Sequence, residues 1–302
     1  MKLDHAVSDV VLGALLSIAA MSVRGDIRVV DDSGASVVLQ SPAKRIVSLA
    51  PHATELLFAA GAGNRIVGTT EFSDYPEAAK KIPRVGSSSL LDMDRVVSLK
   101  PDLIVVWWHG SSQNQQDKLK TLGVPIFQNE PRTLDDIPRA LLELGTLAGT
   151  EDDARRAARA FTAQREALRV RYANASPVTL FWQVWARPLL TVNGRHLISD
   201  VVRLCGGVNV FDRLSPLVPA VNMEAVVAAD PEAIVTTRTD ASANQEDGLA
   251  EWRALPHLRA TLRHNLIALD ADTIHRQSPR ILDGADALCE RLEDVRARRS
   301  PR

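Results

Sequence analysis

Four histidines of this sequence could bind a metal ion, and all four fall in predicted loops. The imidazole ring is a common ligand of zinc and other transition metals, and it is largely neutral near pH 7. No two of these histidines have the close spacing that places two ligands on one helical turn. A direct zinc or manganese site therefore stays an alternative, as does one histidine that contacts the metal of a bound macrocycle. The four are His52, His109, His196 and His275.

Sequence signatures of catalysis are missing. The chain has no G-x-S-x-G elbow, no glycine-rich phosphate loop and no H-E-x-x-H zinc motif, and no cysteine is placed as a lone nucleophile. We therefore predict no catalytic residue, no resident metal and no cofactor, and we expect a protein that is not an enzyme. An α/β enzyme such as a hydrolase or a chelatase stays the alternative from a different functional class.

Aromatic and polar residues lie just beyond the ends of several predicted strands. Open α/β sheets bind ligands at this edge, because the loops that leave the carboxyl ends of parallel strands meet there. The chain has only five Trp, two Tyr and six Phe, so several of them at loop ends favour a large flat ligand. Core packing is the alternative for each tryptophan. The positions are His52, 72–75, 107–109, Trp182, Trp185 and 272–276.

The predicted elements that would position these residues alternate between strand and helix. Short apolar runs predict buried strands, and apolar residues every three or four positions predict helices. This alternation predicts parallel sheets with helices on both faces. Residues 27–39, around Asp32-Ser33-Gly34, predict a β-hairpin. The predicted strands are 45–49, 65–68, 103–108, 124–127, 178–184, 234–237 and 266–269, and the predicted helices are 53–60, 93–99, 113–122 and 197–204.

One long helix is predicted near the middle of the chain. Residues 150–172 contain no Gly or Pro and have apolar residues at helical spacing, with Thr150 as the predicted N-cap and acids in the first turn. With 302 residues, the chain is about twice the usual length of one domain. We therefore predict an N-terminal α/β lobe at 26–148, an interlobe helix at 149–173 and a C-terminal α/β lobe at 174–302.

The sequence also contains an internal repeat. Residues 93–105 (MDRVVSLKPDLIV) recur as residues 223–235 (MEAVVAADPEAIV), an offset of 130 positions. The two lobes are therefore predicted to be copies of one helix-Pro-acid-strand unit. An acid stands at the second position of each copy, Asp94 and Glu224, where the helix dipole favours a carboxylate.

The N-terminus has the features of a secretory signal peptide. Lys2 is followed by an uncharged stretch at 10–23, and the small residue Gly25 precedes polar sequence. The alternative, a membrane anchor, needs roughly 20 apolar residues to span a bilayer, and this stretch has 14. We expect residues 1–25 to be removed and the mature protein to be periplasmic.

Cysteine usage and charge narrow the class of protein further. In an oxidising compartment an even pair predicts one disulfide, between Cys205 and Cys289, with two buried free thiols as the alternative. The formal net charge is -1, and acids and bases are mixed along the chain, so the sequence offers no basic stripe for a phosphate backbone. We expect no nucleic-acid partner.

Several short motifs are spread over nearly all of the predicted mature chain. They are 45–51 (RIVSLAP), 54–56 (TEL), 73–76 (SDYP), 99–102 (LKPD), 205–207 (CGG) with Asn209 and Phe211, and 278–280 (SPR). With these motifs the chain resembles the periplasmic cobalamin-binding protein family, within a wider group of helical-backbone receptors that also bind haem and iron siderophores. The RIVSLAP and LKPD motifs are shared by the wider group, whereas SDYP, the paired cysteines and residues 272–280 are typical of cobalamin binders.

The resemblance implies a fold, a ligand and a site. The fold is that of a class III periplasmic binding protein, with two Rossmann-like lobes, parallel sheets and one long rigid helix between them. The ligand is cobalamin or a related corrinoid, held between the lobes by two aromatic walls and by an Asp and an Arg at its amide rim. On the matching positions, the implied ligand-binding residues are Phe72, Trp107, Trp108, Asp272, Thr273, Ile274, His275 and Arg276.

The resemblance also implies a partner. Members of the family deliver their ligand to an ABC importer, and each lobe presents a carboxylate to arginines of the permease subunits. Those positions are Asp94 and Glu224 in this chain. We therefore expect a monomeric solute-binding protein, with a haem or ferric-siderophore receptor of the same fold, or a ligand sensor, as the alternatives.

Overall fold

The N-terminal part of the described chain forms a β-hairpin. The structure, a computed structural model, describes residues 26–87, 90–238 and 248–299, so the predicted signal peptide at 1–25 lies outside it. Strand β1 (Ile27–Val30) pairs antiparallel with β2 (Ser36–Leu39). Asp31 closes the turn, because its Oδ1 accepts hydrogen bonds from the backbone N–H of Ser33 at 2.9 Å and of Ala35 at 3.0 Å. The predicted hairpin is confirmed.

Two four-stranded parallel sheets form the centres of the two lobes. The first contains β3 (Ile46–Ser48), β4 (Ile66–Thr69), β5 (Leu103–Val106) and β6 (Ile126–Gln128) in the order β4-β3-β5-β6. The second contains β7 (Val178–Trp182), β8 (Gly207–Asn209), β9 (Ala233–Arg238) and β10 (Leu266–Asp270) in the order β8-β7-β9-β10. When the strands of each sheet are numbered in chain order, both sheets have the spatial order 2-1-3-4. The shared order is expected of two copies of one unit.

Helices cover both faces of each sheet. In the first lobe they are α1 (Pro51–Ala59), α2 (Met93–Ser98), α3 (Gln113–Lys120) and α4 (Asp136–Ala148). In the second they are α6 (Leu197–Leu204), α7 (Met223–Ala229), α8 (Ala250–Arg253), α9 (Arg259–Leu262), α10 (Ala271–Ile274) and α11 (Ile281–Ala297). Within the described ranges, none of the helices combines the length and the apolar character that a bilayer-spanning helix requires.

The long helix α5 (Glu151–Tyr172) connects the lobes. Acids fill its first turn and arginines its last, which complements the helix dipole at both ends. Thr150 is the N-cap residue of this helix, as predicted, although its side chain makes no capping hydrogen bond. Its hydroxyl is buried without a hydrogen-bond partner, and its backbone conformation (φ -129, ψ 37) differs from the extended one of a capping residue.

One apolar core runs through both lobes. The apolar side of α5, with Ala154, Ala158, Phe161 and Leu168, packs into a cluster that contains strand residues of both sheets, among them Leu103 and Leu180. Each sheet also has a separate core on its other face. The first includes Val47, Ile104 and Leu119, and the second includes Phe181, Ile234 and Trp252.

The two cysteines form a disulfide in the second lobe. Cys205 at the end of α6 is bonded to Cys289 within α11, and both are fully buried. The predicted pairing is confirmed, and it ties the helix after β7 to the last helix of the chain.

The internal repeat has the same structure in both lobes. Asp92 caps α2 by accepting from Arg95 N–H at 2.9 Å, and Asn222 caps α7 by accepting from Ala225 N–H at 2.9 Å. Each helix buries one valine and leads into a strand of its sheet, β5 or β9. The predicted duplication is thereby visible as two equivalent helix-strand units.

Candidate functional site

A cavity of about 790 Å³ lies at the carboxyl ends of β7, β9 and β10. Strands β7 and β9 are neighbours in this sheet, although β8 lies between them in the sequence. The connection from β7 to β8 leads to one side of this pair, and the connection from β9 to β10 leads to the other. Such a reversal opens a crevice at the strand ends, where doubly wound sheets bind ligands. The cavity walls include Gln183, Trp185, Arg187, Thr237, Ala271 and His275.

Trp185 is the large aromatic side chain of this cavity. It follows β7, is 63% exposed and donates from its indole Nε1 to the carbonyl of Arg187 at 3.0 Å. By contrast, Trp182 is fully buried within β7. The alternative of core packing therefore holds for Trp182, while Trp185 is free to contact a ligand.

The loop after β10 forms another wall. Asp270 caps the short helix α10 by accepting from Asp272 N–H at 3.0 Å, and Thr273 donates to the carbonyl of Asp270 at 3.0 Å. The Nε2 of His275 lies 3.3 Å from the Thr237 hydroxyl. The side chain of Ile274 is buried in the core. Of the predicted residues 272–276, Asp272, Thr273 and His275 thus keep side chains at or near the surface.

Phe72 stands on the loop after β4 in the first lobe. It is 75% exposed, and its backbone has φ 62, the left-handed region that a bulky residue rarely adopts. Holding an aromatic residue there costs about 1–3 kcal/mol. Because the side chain is exposed, packing in the core does not offset this cost. A residue held in this way is a candidate for ligand contact.

Trp107 follows β5, one residue beyond the end of the strand, although the prediction extended that strand to Trp108. The edge of its ring meets His52 at a centroid distance of 5.7 Å and an interplanar angle of 87°. Gly110 lies directly against the indole, because a Cβ at this position would come within 2.4 Å of it. Trp107 is therefore half-buried and held from two sides. Trp108 begins the adjoining turn of 3-10 helix.

The four histidines predicted to lie in loops are divided between the two lobes, and the prediction was wrong for His52, which lies in α1. His52 and His109 belong to the first lobe, and His196 and His275 to the second. Burial lowers the pKa of His52 to about 4, despite a contact of 3.3 Å with the carbonyl of Asn129. Burial, with a smaller effect of His275, also lowers the pKa of His196 to about 4. In the part of the chain that the structure describes, no three His, Cys, Asp or Glu side chains are grouped as metal ligands.

A group of charged side chains joins the two lobes, and we call it the interlobe charge cluster. Its first-lobe members come from α1 and the loop after β4, and its second-lobe members come from residues 272–280. From the first lobe it contains Glu55 and Asp74, and from the second Asp272, Arg276, Ser278 and Arg280.

Arg276 is the centre of the interlobe charge cluster. It donates to Glu55 at 2.8 Å, to Asp74 at 2.7 Å and to Asp272 at 2.8 Å, and only 8% of the residue is exposed. Burial alone would lower the pKa of this guanidinium, but its bonds to Asp74 and Glu55 outweigh burial and raise it. Arg276 therefore stays charged, and its guanidinium is held by three protein carboxylates.

Arg280 and Ser278 complete the cluster around Glu55. Arg280 donates to the same Glu55 oxygen at 3.2 Å, and the Ser278 hydroxyl donates to the other oxygen at 2.5 Å. The Arg280 guanidinium also stacks over the ring of Tyr75 at 3.9 Å from its centroid. Removal of one partner of a buried ion pair typically costs about 3–5 kcal/mol, because the other charge is then left buried and unpaired.

The sequence did not indicate Glu55 or Arg280 as members of a site, although both lie in the motifs named above, and it placed Asp74 only within the stretch 72–75. A signal was present for Glu55, which is the only acid in helix α1. A lone carboxylate among buried positions requires a partner. Its partner stands 221 positions further along the chain, and spacing in the sequence does not reveal such a contact.

Asp94 and Glu224 are both exposed, each in the first turn of a short helix. They lie on α2 and α7, the two copies of the repeated unit, outside the cavity. The structure thus keeps the two acids apart from the aromatic residues and presents one on each lobe.

The sequence and the fold have known relatives. The model of the periplasmic binding protein family matches residues 46–273. A vitamin B12-binding protein of Vibrio parahaemolyticus serotype O3:K6 is 35% identical over 260 residues, 85% of this chain and 92% of that protein. A vitamin B12-binding protein of Yersinia pestis is 38% identical over 253 residues, 84% of this chain and 88% of that protein.

Solved structures give the same result at the level of fold. The crystal structure of the periplasmic vitamin B12 binding protein BtuF of Vibrio cholerae is 35% identical and superposes with a TM-score of 0.76, covering 84% of this chain and 98% of that one. The periplasmic heme-binding protein RhuT from Roseiflexus sp. RS-1 gives a TM-score of 0.74 at 23% identity, covering 84% and 99%. That second likeness shows a shared fold alone.

Proposed function

Because the chain belongs to the periplasmic binding protein family, we propose that it is the solute-binding component of an ABC importer and binds cobalamin or a related corrinoid between its lobes. The observation that carries the ligand is the likeness, over about 85% of the chain, to relatives named as vitamin B12-binding proteins. In this role the protein returns its ligand chemically unchanged.

The geometry of the cleft supports a flat ligand with apolar faces. Trp185 of the second lobe and Phe72 of the first are exposed aromatic residues at the strand ends, and Trp107 adds a half-buried third. The loop that carries Phe72 touches the loop that carries Asp272, since Asp74 and Asp272 share Arg276. Apolar area removed from water contributes roughly 25 cal/mol per Å², so aromatic contact with the corrin faces would supply much of the affinity.

The polar groups of the cleft suit the amide rim of a corrinoid. Asp272 and Asp74 are each more than two-fifths exposed, and each uses one carboxylate oxygen to accept from Arg276. Their other oxygens can accept from amide N–H groups of a ligand. Thr237 and His275 offer further polar atoms at the cavity wall. Arg276, Thr273 and the backbone at Ile274 are proposed to complete this polar side of the site.

The same proposal includes location, domains and partner. We propose that residues 1–25 direct the chain to the periplasm, that residues 149–173 separate lobes at 26–148 and 174–302, and that the mature protein acts as a monomer. Asp94 and Glu224 would dock on arginines of the two permease subunits. The supporting observation is that both acids are exposed at equivalent positions of the repeated unit.

Calorimetric titration with cyanocobalamin tests the proposed ligand, with haem as the competing ligand. The protein is expressed with its own N-terminal segment and purified from the periplasm, and its mass reports cleavage near Gly25. We expect saturable binding of one cyanocobalamin per chain. Binding of haem without binding of cyanocobalamin would keep the importer role and overturn the corrinoid.

A substitution in the cavity wall tests the proposed site. Trp185→Ala should weaken cyanocobalamin binding about five- to thirtyfold, since a contacting aromatic side chain contributes about 1–2 kcal/mol through buried area. Trp185→Phe is the matched control and should retain most of the affinity. Equal affinity of Trp185→Ala and wild type would mean that the ligand occupies another part of the cleft.

A further inference from the structure

Glu55 is a buried carboxylate whose hydrogen-bond donors all come from the other lobe. Its side chain is 2% exposed, on α1 of the first lobe. Arg276 and Arg280 donate to Oε1, and Ser278 donates to Oε2. Both oxygens are therefore satisfied only while the lobes keep their present separation.

The cost of burying an unpaired charge makes the contacts of Glu55 strongly dependent on the separation of the lobes. A carboxylate without partners is costly to bury, and an unpaired guanidinium is costly as well. If the second lobe moved away, Glu55 would lose its three donors, and Arg276 would lose its most buried acceptor. The arrangement of the lobes in this structure is thus one in which the charges of the interlobe charge cluster are compensated.

The interlobe charge cluster also extends from the buried interior to the loop that lines the cavity. Arg276 bridges Glu55, at the buried end, to Asp272, which is 44% exposed at the open end. Asp272 lies on α10, and α10 and the following residue His275 line the cavity. A movement of Arg276 would therefore move the wall that faces the ligand.

The described chain has few other polar attachments between the two sheets. Apart from the connecting helix α5, the backbone N–H of Leu134 in the first lobe donates to Asp200 on α6 at 3.0 Å. This single bond joins one donor to one carboxylate, whereas the interlobe charge cluster joins three carboxylates to two guanidiniums and a hydroxyl. The interlobe charge cluster is therefore the main polar restraint on the separation of the lobes.

We propose that Glu55 is a positioning residue for ligand binding, which holds Arg276 and Ser278 across the cleft and so fixes both the separation of the lobes and the loop at 271–276. Its effect on affinity rests on the proposed corrinoid-binding function, whereas its effect on lobe separation does not. Glu55 is not expected to touch the ligand.

Distances between spin labels test this proposal without any ligand. Labels are attached to cysteines introduced at Lys118 on α3 and Ala228 on α7, both exposed, while the native disulfide stays buried. We expect one narrow distance distribution in the otherwise wild-type protein. Glu55→Gln, which removes the charge and keeps the shape, should broaden the distribution and shift it to longer distances.

Two further variants keep the test decisive. Glu77→Gln is the matched control, because it makes the same change at an exposed acid paired only with Lys80 at the surface, and it should leave the distribution narrow. Ser278→Ala removes one donor to Glu55 and should broaden the distribution less than Glu55→Gln. If Glu55→Gln fails to fold, the distance distribution of Ser278→Ala tests the role of Glu55 in its place. Distributions as narrow as wild type in both cluster variants would overturn the proposal.

Cyanocobalamin dissociation tests the second half of the proposal. We expect Glu55→Gln to release the ligand several-fold faster than wild type and Glu77→Gln to match wild type. An unchanged dissociation rate together with a broadened distance distribution would overturn the claim that Glu55 positions the ligand loop. If wild type itself binds no cyanocobalamin, the proposed ligand fails, and the label distances alone still decide the role of Glu55.

Discussion

At the scale of single residues, burial sets the charge of His52. Its ring is 4% exposed beside Trp107, and its pKa is lowered to about 4, whereas a histidine in an unfolded chain has a pKa near 6.5. Between these two values the unfolded chain binds a proton that the folded protein does not. The free energy of unfolding therefore falls as the pH drops below about 6.5.

Substitution of His52 should remove part of this pH dependence. For wild type we expect the contribution of His52 to unfolding free energy to fall by about 2 kcal/mol between pH 7 and pH 5. In His52→Asn the total decrease between these pH values, measured by urea unfolding, should be smaller by that amount. His257→Asn, at an exposed position, serves as the control and should follow wild type. An unchanged pH dependence in His52→Asn would contradict the prediction.

Single residues also show where prediction from sequence ends. Phe72 could be singled out, because it follows a predicted strand and directly precedes the SDYP motif. The contact between Glu55 and Arg276 could not, since it depends on how two lobes meet across 221 positions. Burial also differs between neighbours: the indole of Trp182 is enclosed and that of Trp185 is open, although both residues stand at the end of one strand.

At the scale of helices and strands, the disulfide joins α6 to α11. Cys205 and Cys289 are 84 positions apart, so the bond restricts a long loop of the unfolded chain. On the chain-entropy model, closing such a loop stabilises the folded state by about 4–5 kcal/mol. The second lobe should depend on this bond more than on any single apolar contact.

Removal of the disulfide should lower the stability of the protein markedly. We expect Cys205→Ala with Cys289→Ala to reduce the free energy of unfolding by about 4 kcal/mol, measured by urea unfolding under oxidising conditions. A reductant should bring wild type close to the variant and leave the variant unchanged. Equal stability of variant and wild type would show that the bond does not restrict the unfolded chain as this model requires.

Most central elements could be predicted from periodicity, and the exceptions have physical reasons. The predicted helix 197–204 matches α6 in full, and the long helix predicted at 150–172, with Thr150 as its N-cap, corresponds to α5. Helix α4 was not predicted, because Pro138 and Gly145 lie within it. Pro138 falls in the first turn, where a missing N–H costs no intrahelical bond, and Gly145 packs closely against Ala154 of α5.

At the scale of the whole molecule, the duplicated lobes present two equivalent faces. Each face carries an exposed acid in the first turn of a short helix, followed three residues later by an exposed valine, Val97 or Val227. An importer with two related membrane subunits offers two equivalent partners for these faces. The proposed docking therefore needs both lobes at a fixed separation, which the interlobe charge cluster would maintain.

Loss of the two acids should uncouple the protein from its importer without affecting ligand binding. With the cognate importer in liposomes, we expect Asp94→Ala or Glu224→Ala to weaken the stimulation of ATP hydrolysis about tenfold, as for loss of one charged contact at an interface. The double variant should abolish it. Asp117→Ala, at an exposed acid on α3, is the control. Full stimulation by the double variant would exclude these acids as docking groups.

The apolar core that passes through α5 couples the unfolding of the two lobes. Leu103 of one sheet and Leu180 of the other belong to the same cluster as Phe161 and Leu168 of α5. Unfolding of one lobe would remove its contacts with α5 and expose to water the apolar surface of the lobe that remains folded. A chain with one folded and one unfolded lobe is therefore a poor intermediate, and the protein should melt in one cooperative step. Proteolytic damage that unfolds one lobe should therefore be followed by loss of the other.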